Sequence, residues 1–468
     1  MKIKFGTDGW RAIIADDYTF ENVRRVAEGT AAYMNDQGMK KVVIGYDCRF
    51  QGKTFSELVA GVLGSQGIQV VLSSSGFSST PMVSLAVKEL QADLGVVITA
   101  SHNPPSYNGF KLKSRFGGPS IPSEVEAVEN LIPDKATIPV LSLDELKENN
   151  QVQFEDLEEL YLSKVRASFD LETIHQSGLK IAYDGMYGAG QNAIRKLFPQ
   201  ADLLHCEFNP WFDGQAPEPI DRNLQELASL IRDNPGKYDV GLANDGDADR
   251  IGMYDEHGKF VDSHHLLLLL LEYLYQYKEI KDKVIVTFSV TDKLKKLADM
   301  YGLEVEITRI GFKYIAELMQ SVDVVVAGEE SGGIAVAGHI PERDGIWIGL
   351  VIFEYMAKSG KSLTQLIQDL YDKVGSFTCD RNDLHLSETK KQIILNHLQT
   401  RPIRQFGSYE VDREENLDGF KYILKNGDWI MIRPSGTEPV LRVYAQSKND
   451  ESVQELLTAV IKTLNDIE

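Results

Sequence analysis

An α/β protein of several domains, closed by a smaller α+β domain, is predicted by three observations. Up to about residue 375, short apolar runs alternate with stretches of helical periodicity, the pattern of strands and helices in mostly parallel, covered sheets. Beyond Gly375 the pattern changes to short strands separated by Asp, Asn and Gly turns and flanked by two helices. The chain has 468 residues, too many for a single hydrophobic core.

Residues 20–37 place Val23, Val26, Ala27, Ala31 and Met34 at helical spacing, with Thr19 as N-cap and Gly38 as the stop. A strand is expected at 42–44, a helix at 54–66 ending at Gly67, and a strand at 68–72. Thr80-Pro81 opens a helix with proline in its tolerated first turn. The buried strand 94–98 then runs into Thr99-Ala100-Ser101-His102-Asn103-Pro104. Pro104-Pro105 cannot continue a strand or a helix interior, so Ser101 sits on a bend. The polar, helix-prone stretch 132–158 reads as the first linker.

The pattern recurs. A strand at 179–183 leads to the glycine-rich turn 185–190 and a helix, and a strand at 238–243 runs into Asn244-Asp245-Gly246-Asp247-Ala248-Asp249-Arg250. A helix is expected over 263–277; its leucine run, Leu266 to Leu271, is far too short to cross a bilayer. Strands at 284–288, 304–308 and 322–327 follow, the last entering Gly328-Glu329-Glu330-Ser331-Gly332-Gly333. Near the end, 421–424 and 429–432 form a hairpin across Asn426-Gly427. Arg433-Pro434-Ser435-Gly436-Thr437-Glu438-Pro439 and a strand at 442–445 complete the section. Open α/β sheets bind ligands at the carboxyl ends of their strands, so these loops could line one shared cleft.

The totals narrow the partners. A net charge of −20 argues against a nucleic-acid surface and makes any local cluster of Arg and Lys informative. Cys48, Cys206 and Cys379 are scattered and form no CxxC, which suits reduced thiols in a cytoplasm and no zinc site. The first residues lack an apolar signal core. A cytoplasmic protein with no membrane and no nucleic-acid partner is expected.

Four loops offer chemistry. Asp245, Asp247 and Asp249 alternate within five residues and repel one another unless a cation lies between them. Oxygen-only ligands suit a hard ion such as Mg²⁺. Glu256 falls at the twelfth place of a calcium loop counted from Asp245, but Arg250 holds the sixth place, where the turn needs glycine. Arg433, Ser435, Gly436 and Thr437, with Arg442 as a second cation, supply the fork, hydroxyls and amides of an anion cradle. Glu329 and Ser331 suit hydrogen bonds to sugar hydroxyls. Arg11, Lys111, Lys113, Lys313 and Arg343 could together serve a phosphorylated ligand.

Taken together these loops closely resemble the α-D-phosphohexomutase superfamily: TASHNP at 99–104, DGDADR at 245–250, GEESGG at 328–333 and RPSGTEP at 433–439, with FGTDGWR at 5–11 and NGFK at 108–111. The resemblance spans nearly the whole chain. It implies an α/β fold of four domains around a central cleft: three related α/β units with mixed sheets plus a C-terminal α+β domain. The expected domains are 1–150 with a phosphoserine loop, 151–256 with a metal loop, 257–374 with a sugar loop, and 375–468 with a phosphate loop. Ser101 would be the phosphoserine, and Asp245, Asp247 and Asp249 would hold Mg²⁺ together with a phosphoserine oxygen. Arg250, His102, Arg11 and Lys111 would surround the transfer site, and Glu329 and Ser331 would hold sugar hydroxyls. Arg433, Ser435, Gly436, Thr437 and Arg442 would grip the non-reacting phosphate.

The implied reaction interconverts hexose 1-phosphate and hexose 6-phosphate through a hexose 1,6-bisphosphate, which also serves as activator, in a monomer or homodimer. Bacterial phosphomannomutase/phosphoglucomutases and phosphoglucosamine mutases usually end the sugar loop in histidine; here that place is Gly333. The segment His339 to Gly345 instead looks like the phosphoglucomutase branch, with Arg343 at the position of its basic residue. An arginine stays charged, so Arg343 is expected to act electrostatically, with Lys111 a candidate base. Gly311-Phe312-Lys313 also looks like glucose- and mannose-using members. The expectation is therefore a phosphoglucomutase, with mannose phosphates as a second substrate. The alternatives are a phosphoglucosamine mutase, a sugar-phosphate phosphatase that passes the phosphoryl group to water, and a non-enzymatic sugar-phosphate or calcium binder.

Overall fold

The computed structural model describes residues 2–6, 8–434 and 440–467. The chain forms two compact units, Met1–Lys283 with Gly311–Leu366, and Val284–Ile310 with Ile367–Glu468.

The first unit begins with a mixed sheet. Its strands run in the order Trp10–Ile13, Tyr107–Ser114, Leu94–Ile98, Lys41–Tyr46, Gln69–Ser73 and Val152–Glu155, with Gly118–Pro119 beside Tyr107–Ser114. The strands from Leu94–Ile98 outward to Val152–Glu155 are parallel, as the alternation with helices requires. Tyr107–Ser114 returns antiparallel. The expected helices are present as Phe20–Asp36, capped by the Thr19 side chain, Gly52–Ser65, and Thr80–Glu89, capped by Ser79 with Pro81 in its first turn.

Two features differ from expectation. The stretch 132–158 is not simply a linker: it carries the helix Leu143–Glu148, whose Leu146 is fully buried, and the edge strand Val152–Glu155, so the sheet extends past residue 150. Its apolar anchors are too sparse to give a periodic signal. The strand Tyr107–Ser114 was also hidden, because Lys111 and Lys113, which alternation would turn to solvent, are both fully buried.

The second sheet runs Phe260–Val261, Ile251–Tyr254, Val240–Asn244, Ile181–Asp184 and Asp202–Leu204, again mixed. The leucine-rich helix Ser263–Tyr277 is buried along most of its length. The first unit also holds the antiparallel pair Val324–Gly328 and Ile334–Val336, joined by the GEESGG turn. The helix Gly345–Ser359 starts at an Asp344 cap.

In the second unit Lys283–Thr287 and Val305–Thr308 pair in parallel. The C-terminal sheet is wholly antiparallel, in the order Thr378–His385, Val440–Ser447, Trp429–Pro434, Phe420–Leu424, Tyr409–Glu415 and Gln405–Phe406. Helices Glu388–Thr400 and Asp450–Asn465 share its core with Tyr422, Ile430, Leu441 and Val443. The hairpin lies across Asn426-Gly427 as expected, with Gly427 at φ 89°. Among the described residues no helix is long and apolar enough to cross a membrane.

Candidate active site

Three strands of the first unit, Leu94–Ile98, Val240–Asn244 and Val324–Gly328, end in the TASHNP, DGDADR and GEESGG loops, and the fold brings these loops together. Ser101 adopts a left-handed conformation, φ 52°. For a residue with a side chain this costs roughly 1–3 kcal/mol and persists where surrounding contacts enforce it. Its amide donates to Thr99 Oγ1 at 2.8 Å, and its own Oγ donates to Asp245 Oδ2 at 2.6 Å. Gly246 abuts the same turn so closely that a Cβ there would lie 2.5 Å from the Ser101 carbonyl oxygen. His102 Nδ1 is 3.4 Å from Ser101 Oγ. Burial, and then the charges of Arg250 and Arg11, push its pKa well below the ordinary histidine value, so the ring is neutral at pH 7.

Asp245, Asp247 and Asp249 are all fully buried, and a ligand oxygen from each lies within 4.8 Å of the others. Burial together with Asp249 and Asp247 raises the Asp245 pKa well above the carboxylate range. Among the described residues, the buried atoms Asp247 Oδ1 and Asp249 Oδ1 have no hydrogen-bond partner. Orphaned carboxylate oxygens in a dry, mutually repelling triad are what a bound divalent cation relieves, so the residues fit Mg²⁺.

Cations surround the triad. Lys111 Nζ lies 2.8 Å from Asp8 Oδ2, 2.8 Å from Asp247 Oδ2 and 3.0 Å from Asp249 Oδ2. Arg343 pairs with Asp249 at 2.8 Å and also with Asp8. Burial opposes the charge on Lys111, but Asp247, Asp249 and Asp8 outweigh it and raise its pKa well above the ordinary lysine value. Asp247 stays ionised far below its usual range because Lys111, Thr80 and Arg343 outweigh the burial penalty. Two residues along the same strand face, Lys113 Nζ meets Glu342 Oε2 at 2.7 Å, and Ser84 Oγ donates to the same oxygen at 3.0 Å. Arg11 donates to Asn103 Oδ1 at 2.8 Å, on the far side of the serine turn.

The GEESGG loop joins this cluster through Arg250, which bridges by its backbone to Gly333 and donates its amide to Asp245 Oδ1 at 3.0 Å. Glu329 is buried, and its Oε1 accepts the Gly311 amide at 2.8 Å. Burial and the neighbouring Glu330 push its pKa up to about 7, against the pull of Arg343 and Arg250. Ser331 is half-buried in the same turn. A Cβ at Gly333 would stand 2.6 Å from Arg343 Cδ, so the side chain missing at 333 is the space through which Arg343 passes. Lys313 lines a cavity of about 240 Å³ together with Asp8, Gly9 and Ser120.

In the second unit Arg433 and Arg442 lie directly opposite each other on antiparallel strands, both half-buried. Arg433 reaches Asp418 at 3.3 Å, and among the described residues the buried Nε atoms of both arginines have no hydrogen-bond partner. Like charges facing across a ladder are unfavourable by themselves and become favourable around an anion. Ser435, Gly436 and Thr437 lie outside the described residues.

Sequence reasoning missed Asp8, Arg49, Thr80 and Glu342. Asp8 stands inside the quoted FGTDGWR, and Arg49 follows the carboxyl end of a predicted strand, so both carried a positional signal. Glu342 likewise stands inside the segment His339 to Gly345, whereas Thr80 was read only as the opening of a helix.

Comparison with known proteins agrees with this geometry. The domain models of the phosphoglucomutase/phosphomannomutase family match in chain order: α/β/α domain I over residues 2–138, domain II over 159–258, domain III over 262–374 and the C-terminal domain over 396–463. A phosphoglucomutase/phosphomannomutase from Thermococcus kodakarensis is 28% identical, covering 99% of this chain and 98% of its own. A phosphoglucosamine mutase from Methanococcus maripaludis is 29% identical, covering 98% and 97%. A crystal structure from Thermus thermophilus, provisionally named a phosphomannomutase, superposes with a TM-score of 0.88 at 31% identity over 99% of both chains. Serine turn, buried aspartate triad and GEESGG loop thus occur in a chain matched from end to end by one family's domains, and the protein belongs to the phosphoglucomutase/phosphomannomutase family of the α-D-phosphohexomutase superfamily, a family of intramolecular phosphotransferases.

Proposed function

We propose that the protein is a Mg²⁺-dependent phosphoglucomutase that also accepts mannose phosphates and works through a phosphoserine at Ser101. The observation that carries this is the Ser101 hydroxyl 2.6 Å from Asp245 inside a buried triad of carboxylates ringed by Lys111 and Arg343. Phosphoryl transfer needs alignment and charge neutralisation more than covalent invention. Asp245, Asp247 and Asp249 would hold the Mg²⁺, which supplies charge stabilisation to the transferring group. Phospho-Ser101 gives its phosphoryl group to the free C1 or C6 hydroxyl: the bond from phosphorus to Ser101 Oγ breaks as the bond to the sugar oxygen forms, and the proton lost from that hydroxyl ends on the freed Ser101 Oγ. The resulting hexose 1,6-bisphosphate returns its other phosphate to Ser101, and the same compound loads free enzyme.

Lys111, Arg343, Arg250 and Arg11 act as fixed positive charges. Lys111 was the candidate base; three carboxylates hold its proton, so we assign it an electrostatic role instead. Arg433 and Arg442, with Ser435, Gly436 and Thr437, hold a phosphate of the substrate, which relieves the opposed arginines. Glu329 and Ser331 take sugar hydroxyls.

Glucose is favoured by the Gly311-Phe312-Lys313 segment and by Arg343 threading past Gly333. The phosphoglucosamine reading is supported by relatives of that name. Rates on glucose, mannose and glucosamine 1-phosphates decide: glucose 1-phosphate is expected to exceed glucosamine 1-phosphate by about tenfold or more in kcat/KM. The reverse order overturns the glucose assignment while leaving the mutase chemistry in place.

The sugar loop gives a pH prediction. Glu329 has its pKa raised to about 7, so its carboxylate, the form that accepts hydrogen bonds from sugar hydroxyls, is gained as pH rises through 7. Its contribution to folding stability has the opposite sign, being full below the ordinary carboxylate range and lost as pH rises through about 7. The KM for glucose 1-phosphate is expected to fall between pH 6 and pH 8 in the wild type, and to fall less in Glu329→Gln, where substrate titration alone remains. Parallel KM profiles in the two proteins would remove Glu329 from sugar binding.

A further inference from the structure

Arg49 follows Asp47-Cys48 at the carboxyl end of the strand Lys41–Tyr46, and its side chain is fully buried. Its guanidinium faces the serine turn from below. One terminal nitrogen, Nη2, donates to the carbonyl oxygens of Ser101 and Asn103, each at 2.6 Å. The other, Nη1, donates to those of Pro104 and Tyr107, each at 2.9 Å. All four hydrogens of the terminal nitrogens are therefore spent on one turn of seven residues, 101–107. Nε is left 3.5 Å from Asp47 Oδ2. The Phe212 ring covers the group, 5.0 Å from its central carbon.

Four carbonyl oxygens converging on one point repel one another unless a multivalent donor stands between them. Arginine supplies that in a planar fork; lysine has three donors on one atom and cannot span four acceptors at these positions. A second tie runs from the same segment: Asp47 Oδ2 accepts Thr99 Oγ1, which in turn accepts the Ser101 amide. The peptide groups on both sides of Ser101 are thus fixed, and the remaining direction of the side chain is the one that carries Oγ to Asp245.

We propose that Arg49 is a positioning residue for phosphoryl transfer: it holds the left-handed serine turn in the one shape that presents Ser101 Oγ to the aspartate triad, without touching substrate. This rests on the phosphoserine reading above. Substrate affinity, set by other loops, does not depend on it, whereas alignment at the reacting oxygen does, and misplacement of about 1 Å costs on the order of a hundredfold in rate.

The test is Arg49→Lys, which keeps charge and much of the buried volume, alongside Arg49→Ala assayed with and without added methylguanidinium. The expected result is a kcat for glucose 1-phosphate lowered about a hundredfold in Arg49→Lys with KM within about threefold of wild type. Slower phosphorylation of Ser101 by glucose 1,6-bisphosphate, followed by intact mass, is expected in the same variant. Methylguanidinium is expected to restore about tenfold of the lost kcat in Arg49→Ala and none in Arg49→Lys, a response that general destabilisation does not produce. If Arg49→Ala does not fold, Arg49→Lys and its mass kinetics decide alone. Wild-type kcat in Arg49→Lys, or a loss expressed equally in KM, overturns the proposal while leaving the mutase reading intact. Absence of interconversion by the wild-type protein overturns both.

Discussion

Replacing Ser101 with alanine is expected to lower hexose phosphate interconversion by about 10⁴-fold or more, roughly 5 kcal/mol of transition-state stabilisation. The hydroxyl is the atom that carries the phosphoryl group, and the neighbouring groups offer no substitute at that place. His102 is neutral and 3.4 Å away from Ser101 Oγ, and Asp245 belongs to the buried aspartate triad and gives its other oxygen to the Arg250 amide. Two measurements check it. A coupled assay of glucose 6-phosphate formation reads the rate. Intact mass after incubation with glucose 1,6-bisphosphate reads the gain of one phosphate in wild type and its loss in the variant. Undiminished turnover, or an unchanged mass gain, would falsify the phosphoserine assignment. Net release of inorganic phosphate from glucose 1-phosphate by the wild type would instead favour the phosphatase alternative. Folding is expected to survive, because Asp245 keeps the Arg250 amide on its other oxygen.

The second large effect is at Asp247. This carboxylate is fully buried and accepts from Lys111 at 2.8 Å and from Thr80, while its Oδ1 has no hydrogen-bond partner among the described residues. Asparagine keeps the shape but removes the charge that offsets both Lys111 and a bound cation. Asp247→Asn is expected to cost about 10³-fold in kcat and to weaken Mg²⁺ binding by at least about tenfold. Calorimetric titration of Mg²⁺ and activity as a function of Mg²⁺ read the two effects separately. Removing one partner of a buried charge pair costs about 3–5 kcal/mol of stability, so a thermal melt accompanies both. Lys111 retains Asp8 and Asp249, which limits that loss. Full activity of the variant in the presence of a chelator would remove the metal from this site.

Much of this was legible in the residues. Asp245, Asp247 and Asp249 suggest a hard cation by charge density alone, and the structure adds two buried carboxylate oxygens, Asp247 Oδ1 and Asp249 Oδ1, with no hydrogen-bond partner among the described residues. Thr19 and Pro81 mark helix starts because a helix leaves amides without partners and these residues satisfy or lack them. Tyr107–Ser114 was less legible. Pattern reading assumes that lysine faces water, whereas Lys111 and Lys113 are buried on one face and Phe110 and Leu112 on the other, so the strand is covered on both sides. The strand Val152–Glu155 was lost for a different reason: it sits at a sheet edge with one buried residue, so neither alternation nor an apolar run marks it.

Which residue types surround the chemistry, and that a serine, three aspartates and several cations would be gathered at strand ends, follow from the amino-acid sequence by itself. The partner of each charge was decided by the tertiary structure. Asp8, the Asp247/Asp249 pair and Arg343 are far apart in the chain, yet one antiparallel strand places Lys111 within 3.0 Å of the three carboxylates, and Arg343 closes on two of them. Coulomb energy depends on distance and on the exclusion of water, neither of which sequence spacing records. Gly333 shows the same division: the sequence reveals a missing histidine, and the fold reveals an arginine filling its place.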